Sequence, residues 1–346
     1  MKPSPEPSAV PDDLRAALTH WHITPDAVVA SPHGTMNETF FVRLDGATRV
    51  LRRHRHLARS TVEREHEIIA FAVAGGIPTP PAIATVRGDV VVDSGGRLYS
   101  LFAHADGTQL RQAALLPEHA RAMGTTLARL RGVLAGFPAD GLSRPDRAAA
   151  PPSVDRTLAA LGDLLHTVEA WPAAGEQEAR AASALRGQLS WVEHHRDELD
   201  ATAAARPRPR QLIHGDYQHT NLFFADPGAP ATGRESTVTA VIDWDKAEVA
   251  DRAGELIRTI ALSFVLDPAL TAGFLAGYQR DGEMSLETLD AAAADYALGE
   301  ARGTWLYDAI YRRGEDRCRQ FLDPHGFRPF GARWSALRAA LEAAAT

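Results

Sequence analysis

The sequence predicts an α+β protein of two lobes, a small β-rich lobe over residues 1–104 and a larger helical lobe over residues 105–346. Three observations carry that expectation. The first hundred residues alternate β-prone runs with turn signals. From about Leu110 the pattern changes to helices rich in Ala, Leu and Arg. One short hairpin then interrupts the helical half between Gln211 and Ile242. A chain of 346 residues suits two compact units. With 45% hydrophobic and 23% charged residues it has enough apolar side chain for a core without metals or disulfides.

The elements follow in order. Asp12–His20 reads as a short helix capped by Asp12 or Asp13. Thr39–Leu44 and Thr48–Arg52 are β-prone runs joined by Asp45-Gly46, a strong hairpin signal. Thr61–Ala74 places Val62, Ile68, Ile69 and Ala72 at helical spacing and stops at Gly75-Gly76. Asp89–Asp93 and Arg97–Phe102 form a second strand pair around Ser94-Gly95-Gly96. Beyond the helical tracts of the second lobe, the pentapeptide Arg206–Arg210, with two prolines, breaks the pattern. Asn221–Phe224 and Thr237–Ile242 then pair across a Gly/Pro-rich loop, and Arg252–Ala345 is mostly helical.

Several function classes are disfavoured. The formal net charge of −7 argues against an overall electrostatic grip on nucleic acid. Met1–Asp13 lacks the apolar core of a secretory signal, and no run is long and apolar enough to span a bilayer. The single cysteine, Cys318, has no internal partner. These features lead us to expect a cytoplasmic protein with no membrane partner. His194-His195 lies on a charged helix without nearby cysteine, which disfavours zinc.

One segment is dense with chemistry. His214-Gly215-Asp216-Tyr217-Gln218-His219-Thr220-Asn221 is followed, one hairpin later, by Val241-Ile242-Asp243-Trp244-Asp245. Any one of these polar residues alone is commonly structural. The ordered set matches what phosphoryl transfer needs: a carboxylate to orient and deprotonate the attacking hydroxyl, and oxygen ligands for Mg²⁺ on the phosphates. Asp216 is the candidate base, Asn221 a metal ligand through its amide oxygen, and Asp243 the main metal ligand.

Leu212–Glu255 resembles the aminoglycoside phosphotransferase-like kinases, a branch of the protein-kinase-like fold that includes choline kinase-like and homoserine kinase-like enzymes. The shared pattern is His-Gly-Asp, four variable residues, Asn, then Ile-Asp-Trp and an acidic residue; the match is at His214, Asp216, Asn221, Asp243 and Trp244. The chain departs from it at Gln218-His219, where His-Pro is frequent, and at Glu255, where Asp is frequent. The resemblance implies a bilobal kinase-like fold and transfer of the γ-phosphate of ATP or GTP, with Mg²⁺, to a hydroxyl of a small molecule. It implies that His214 braces the loop and that Asp245 assists the metal or the loop. In the first lobe it places Arg52 on the α- and β-phosphates, held by Glu65, with Glu63 as rival. It places Gly34 and Asn37 in the phosphate-covering hairpin, without a GxGxxG pattern, and the backbone of Phe102–His104 against adenine. Trp305, Tyr307, Asp308 and Arg312 fall where the helical lobe supplies acceptor contacts.

Two other readings compete. A protein kinase is disfavoured because no Asp-Phe-Gly and Ala-Pro-Glu pair frames an activation segment, and helix is expected within a few residues of Asp243. A catalytically inactive nucleotide-binding or scaffold protein has Arg52, where many relatives carry Lys, as its support. Against it, Asp216, Asn221 and Asp243 are all present. A pocket for polycationic aminoglycosides should be strongly acidic, yet the helical lobe mixes Arg with Asp and Glu and has no acidic tract.

Overall fold

The computed structural model describes residues 10–25, 27–31, 37–44, 46–55, 58–138, 152–173, 175–201, 209–225, 236–279 and 284–345. Strands β1 (Ala27–Ala30), β2 (Glu38–Leu44), β3 (Ala47–His54), β4 (Val92–Ser94) and β5 (Arg97–Ala103) form one antiparallel sheet in the order β1-β2-β3-β5-β4. The β2–β3 register pairs Leu44 with Ala47, as a two-residue turn requires. Its Asp45 lies outside the described residues.

Helix α1 (Asp12–Leu18) buries Leu14, Ala17 and Leu18 against this sheet, with Val42, Leu51, Tyr99 and Leu101 beneath. Helix α2 (Arg59–Ala74) presents Val62, Glu65, His66, Ile68, Ile69 and Ala72 as one buried stripe, the i, i+3, i+4 pattern of an amphipathic helix. Two expectations are corrected. Pro11, not Asp12 or Asp13, caps α1, because its fixed φ suits the residue leading into a helix. Residues 89–91 are not strand; β4 pairs with β5 only from Val92, across the tight Gly95-Gly96 turn.

The second part is helical: α3 (Pro117–Leu134), α4 (Val154–Glu169), α5 (Glu176–His194), α6 (Arg196–Ala201), α7 (Arg252–Thr259), α8 (Pro268–Tyr278), α9 (Leu286–Ala301), α10 (Trp305–Tyr307) and α11 (Phe330–Ala345). Two small antiparallel pairs sit among them. Strand β6 (Arg210–Ile213) pairs with β9 (Glu248–Asp251), and β7 (Leu222–Phe224) pairs with β8 (Val238–Val241). Strand β9 therefore separates Asp243 from the helix expected right after it. The largest core joins both parts: Ile68, Ile69 and Phe102 share it with Met123, Leu222, Phe224, Trp244 and Phe274.

The crossing between the parts is tight. Thr108 and Phe224 exchange backbone hydrogen bonds of 2.9 Å in each direction. Gly107 has φ 101°, and a Cβ there would lie 2.3 Å from the Phe224 carbonyl oxygen. Only glycine fits that approach, and it ties the end of the sheet to the β7–β8 hairpin.

Candidate active site

The β7–β8 hairpin sets two functional segments side by side. Leu222 pairs with Val241, and the Ile242 N–H donates to the Asn221 carbonyl at 2.9 Å. Asn221 and Asp243 therefore leave the same end of the hairpin. Buried Leu222, Phe224 and Val241 fix the register, because a one-residue slip would turn them outward. Asp243 takes a left-handed backbone, φ 68°, which Asp tolerates better than most residues. The turn brings the Asp243 side chain out to 35% exposure while Trp244 behind it is buried.

The loop carrying Asp216 is held from several sides. Gly215 has φ 79°, and a Cβ there would sit 2.1 Å from the Lys246 carbonyl oxygen, so the chain after Asp243 passes directly over it. His214 Nδ1 accepts the Asp216 N–H at 3.3 Å, and its Nε2 lies 3.1 Å from the Ile242 carbonyl. This arrangement takes a neutral ring with its proton on Nε2, and burial holds its pKa down to about 4. Asn221 Nδ2 donates to the Asp216 carbonyl at 2.9 Å and reaches Oδ2 at 3.4 Å. Its amide oxygen is thus the atom on offer to a cation.

Helix α7 grips the same loop with one face. Asp251 caps it, accepting from Ala253 and Gly254 N–H. Glu255 Oε1 accepts the Gly215 N–H at 2.8 Å, and Thr259 Oγ1 donates to the Tyr217 carbonyl at 2.6 Å. In the π-helical turn that follows, Ser263 Oγ accepts the His219 N–H at 2.9 Å. Burial pushes Glu255 up to about 7. Between Glu255 and Thr259, Arg258 donates to Asp216 Oδ1 at 2.8 Å, and Lys246 donates to Oδ2 at 2.8 Å. Burial alone would raise the Asp216 carboxyl, but these two cations outweigh it and hold it down to about 2.

Across the cleft, Arg52 on β3 donates to Glu65 Oε1 at 2.8 Å and to Asp243 Oδ1 at 3.1 Å. Its guanidinium also lies 5.6 Å from the Phe102 ring centre. Burial pushes Glu65 up to about 7 even with Arg52 beside it. Glu63 instead pairs with Arg59 on the exposed face of α2. Asp245 is pushed up to about 6 by burial and by Asp243. Among the described residues, no group of three or more His, Cys, Asp or Glu is placed to hold a metal by itself. The amide oxygen of Asn221 and the carboxylate of Asp243 do suit Mg²⁺, which takes one or two protein oxygens and completes its shell with phosphate and water.

The family model for the phosphotransferase enzyme family matches residues 28–294. The chain belongs to that family. A comparison with curated protein sequences finds no match. Among solved structures, a spectinomycin phosphotransferase bound to ADP and spectinomycin is 13% identical, covering 94% of this chain and 97% of its own, with a TM-score of 0.63. An amicoumacin kinase bound to AMP-PNP, Ca²⁺ and its ligand is 13% identical over 95% and 91%, TM-score 0.57. A microcompartment-associated aminopropanol kinase is 18% identical over 95% and 97%, TM-score 0.57. This phosphotransferase therefore has the protein-kinase-like fold of small-molecule kinases.

The phosphotransferase gathers Asp216, Asn221, Asp243, His214, Arg52 and Glu65 in one place. Gly34 lies outside the described residues. Asn37 is buried, its Oδ1 accepting the Arg55 N–H at 3.2 Å, so its side chain closes the base of β2 and β3. Phe102 is a buried core ring stacked on His66 at 5.2 Å, and His104 is exposed with its ring 6.0 Å from Phe41. Asp308 and Arg312 pair with each other at 2.9 Å, and Trp305 packs against Phe321. Tyr307 lines a shallow cleft with Gln177, Arg180, Leu322 and Asp323. Sequence reasoning missed Lys246 and Arg258. For Arg258 the sequence offers only its place beside Glu255 and Thr259 at i, i+3, i+4 spacing on α7, which marks a polar face but not the partner it meets.

Proposed function

We propose that this phosphotransferase moves the γ-phosphate of ATP or GTP onto a hydroxyl of a small molecule, using Asp216 as proton acceptor and Asn221 with Asp243 as Mg²⁺ ligands. The observation that carries the reading is the joined geometry of these three residues: one loop holds Asp216 and Asn221, and the β7–β8 register brings Asp243 alongside. Bound Mg²⁺ supplies positive charge to the phosphate oxygens. Arg52, fixed by Glu65, adds an always-charged fork on the nucleotide side. The reading puts the boundary between nucleotide and acceptor lobes after His104, and the compartment as cytoplasmic.

Asp216, held near pKa 2, is a weak base in the resting site. It acts first by aiming the hydroxyl and accepts the proton late, once the bond to the leaving group has loosened, as suits a loose transition state. Lys246 and Arg258 fix both carboxylate oxygens, so little reorganisation remains at the moment of reaction.

The test is release of ADP or GDP across a panel of sugars, amino alcohols, hydroxy acids, sugar phosphates and antibiotics, with and without Mg²⁺. Acceptor-stimulated, Mg²⁺-dependent release is expected for some member. Binding of nucleotide with no stimulated release from any member favours the inactive nucleotide-binding protein instead.

A further inference from the structure

Behind the Arg52–Glu65 pair lies a buried polar cluster that no step of the transfer uses. His54 on β3, Ser100 on β5 and His66 on α2 meet at one hydroxyl. Ser100 Oγ lies 3.0 Å from His54 Nε2 and 2.7 Å from His66 Nε2. Ser100 is fully buried, and the two rings stand edge to face, 6.5 Å apart. Nδ1 of each ring is buried with no hydrogen-bond partner among the described residues. Burial, with the charge of Arg52 nearby, holds His54 down to about 3 and His66 down to about 4, so both rings are neutral. Orphaned buried nitrogens are costly, and an apolar residue beside Val62 and Ile69 would avoid that cost. The cluster therefore does something that apolar packing does not.

What it offers is direction. Arg52 and Ser100 are cross-strand partners, so their side chains share one face of the sheet. Phe102, two residues on, joins them there. Its ring stacks on His66 at 5.2 Å and lies 5.6 Å from the Arg52 guanidinium. Glu65 precedes His66 on α2 and takes Arg52 on Oε1 at 2.8 Å, while its Oε2 has no hydrogen-bond partner among the described residues. Glu65 thus stands where α2 stands. The apolar contacts of Val62, Ile68 and Ile69 are non-directional and hold the helix down without fixing its position along the sheet. Apart from Arg52–Glu65, the remaining side-chain hydrogen bond from α2 to the β-sheet part among the described residues joins Arg59 to the Val91 carbonyl at 3.2 Å, at the first residue of the helix. The bond from His66 to Ser100 is the one made beside Glu65, in a buried setting where a hydrogen bond is electrostatically stronger than in water.

We infer that His66 is a positioning residue for the nucleotide phosphates: anchored on Ser100 and His54, it sets the place of Glu65 and Phe102, and through them the reach of the Arg52 guanidinium. The inference rests on the kinase reading of the Arg52 site. His66 itself touches no substrate. A hydrogen bond weakens steeply outside its narrow range of distance and angle. A small shift of α2 therefore loosens the hold of Glu65 and lets Arg52 settle on Asp243, the other carboxylate it touches, at 3.1 Å. Arg52 is then drawn off the phosphates and onto a metal ligand.

The test is calorimetric titration of non-hydrolysable ATP and GTP analogues with Mg²⁺, which needs no acceptor. His66→Leu removes both the bond to Ser100 and the stack on Phe102, and its Kd should rise about fivefold or more above wild type. His66→Gln, whose amide reaches about as far as Nε2, should recover part of that loss. In an Arg52→Ala background no guanidinium is left to place, so His66→Leu should change Kd there by less than about twofold. This non-additivity separates positioning from a general loosening of the β-sheet part. If His66→Leu fails to fold, Ser100→Ala breaks the same tie from the strand side and takes its place in the cycle. A folded variant with wild-type affinity, or an equal loss in the Arg52→Ala background, overturns the assignment and leaves the kinase reading standing. Wild type that binds neither nucleotide overturns both.

Discussion

Asp216 is where charge, geometry and chemistry meet. Its carboxylate is bound by two cations at once, so it stays ionised across the working pH range and sets no acid limb near neutrality. Asp216→Asn keeps the shape and removes the charge. Positioned proton acceptors contribute about 10²- to 10⁴-fold, so kcat should fall on that order, while circular dichroism and nucleotide affinity stay near wild type. An unchanged kcat would assign the proton to another group. Arg52 makes a different kind of prediction. Removing it leaves the Glu65 carboxylate buried at 4% exposure without its cation. A buried carboxyl whose folded pKa lies above its unfolded value keeps a proton that the unfolded chain has lost. Stability therefore falls as pH rises through that interval, from about 4.5 upward. Arg52→Ala should lose more melting temperature, relative to wild type, at pH 8 than at pH 5.5. Arg52→Lys should show little of this pH dependence, because the ion pair survives. Parallel melting curves for Arg52→Ala and wild type across that range would contradict the burial argument.

At the scale of elements, the site depends on how α7 and the hairpin hold one loop. Gly215→Ala puts a Cβ in a left-handed backbone and against the Lys246 carbonyl. We expect a loss of about 2–4 kcal/mol in denaturant unfolding, together with a fall in activity as Asp216 shifts. A variant as stable and active as wild type would mean that the chain crossing at Gly215 is looser than described. The hairpins and α2 were legible because their signals are local: Asp45-Gly46 between β-prone runs, and a 3.6-residue stripe ending at Gly75-Gly76. The ordered residues His214, Asp216, Asn221 and Asp243 were legible because phosphoryl transfer needs few groups and their spacing is short. Strand β9 was not, since Glu248–Asp251 has weak strand propensity and is made a strand by pairing with β6. The hold of Glu255 on Gly215 and of Arg258 on Asp216 spans some forty residues of sequence, and no local pattern reports such a contact. Asn37, read as a phosphate contact, has its Oδ1 occupied by the Arg55 N–H, a backbone contact that no local pattern announces.

The whole molecule is a β-sheet part and a helical part joined through one core, with the candidate site where Arg52 from the sheet meets Asp243 from the hairpin. A ligand bound at that junction touches both parts and stabilises their union. Saturating nucleotide at about 100-fold over its Kd adds about 2.7 kcal/mol, so thermal unfolding should shift upward by several degrees with Mg²⁺ and nucleotide together. The central claim is that Asn221 and Asp243 bring Mg²⁺ to the phosphates, and calorimetric titration of a non-hydrolysable nucleotide triphosphate tests it without knowing the acceptor. Wild type should bind at least tenfold more tightly with Mg²⁺ than with a chelator present. Asp243→Ala should fold normally and lose that gain. Equal affinity with and without Mg²⁺ in wild type, or a full Mg²⁺ effect in Asp243→Ala, would contradict the account.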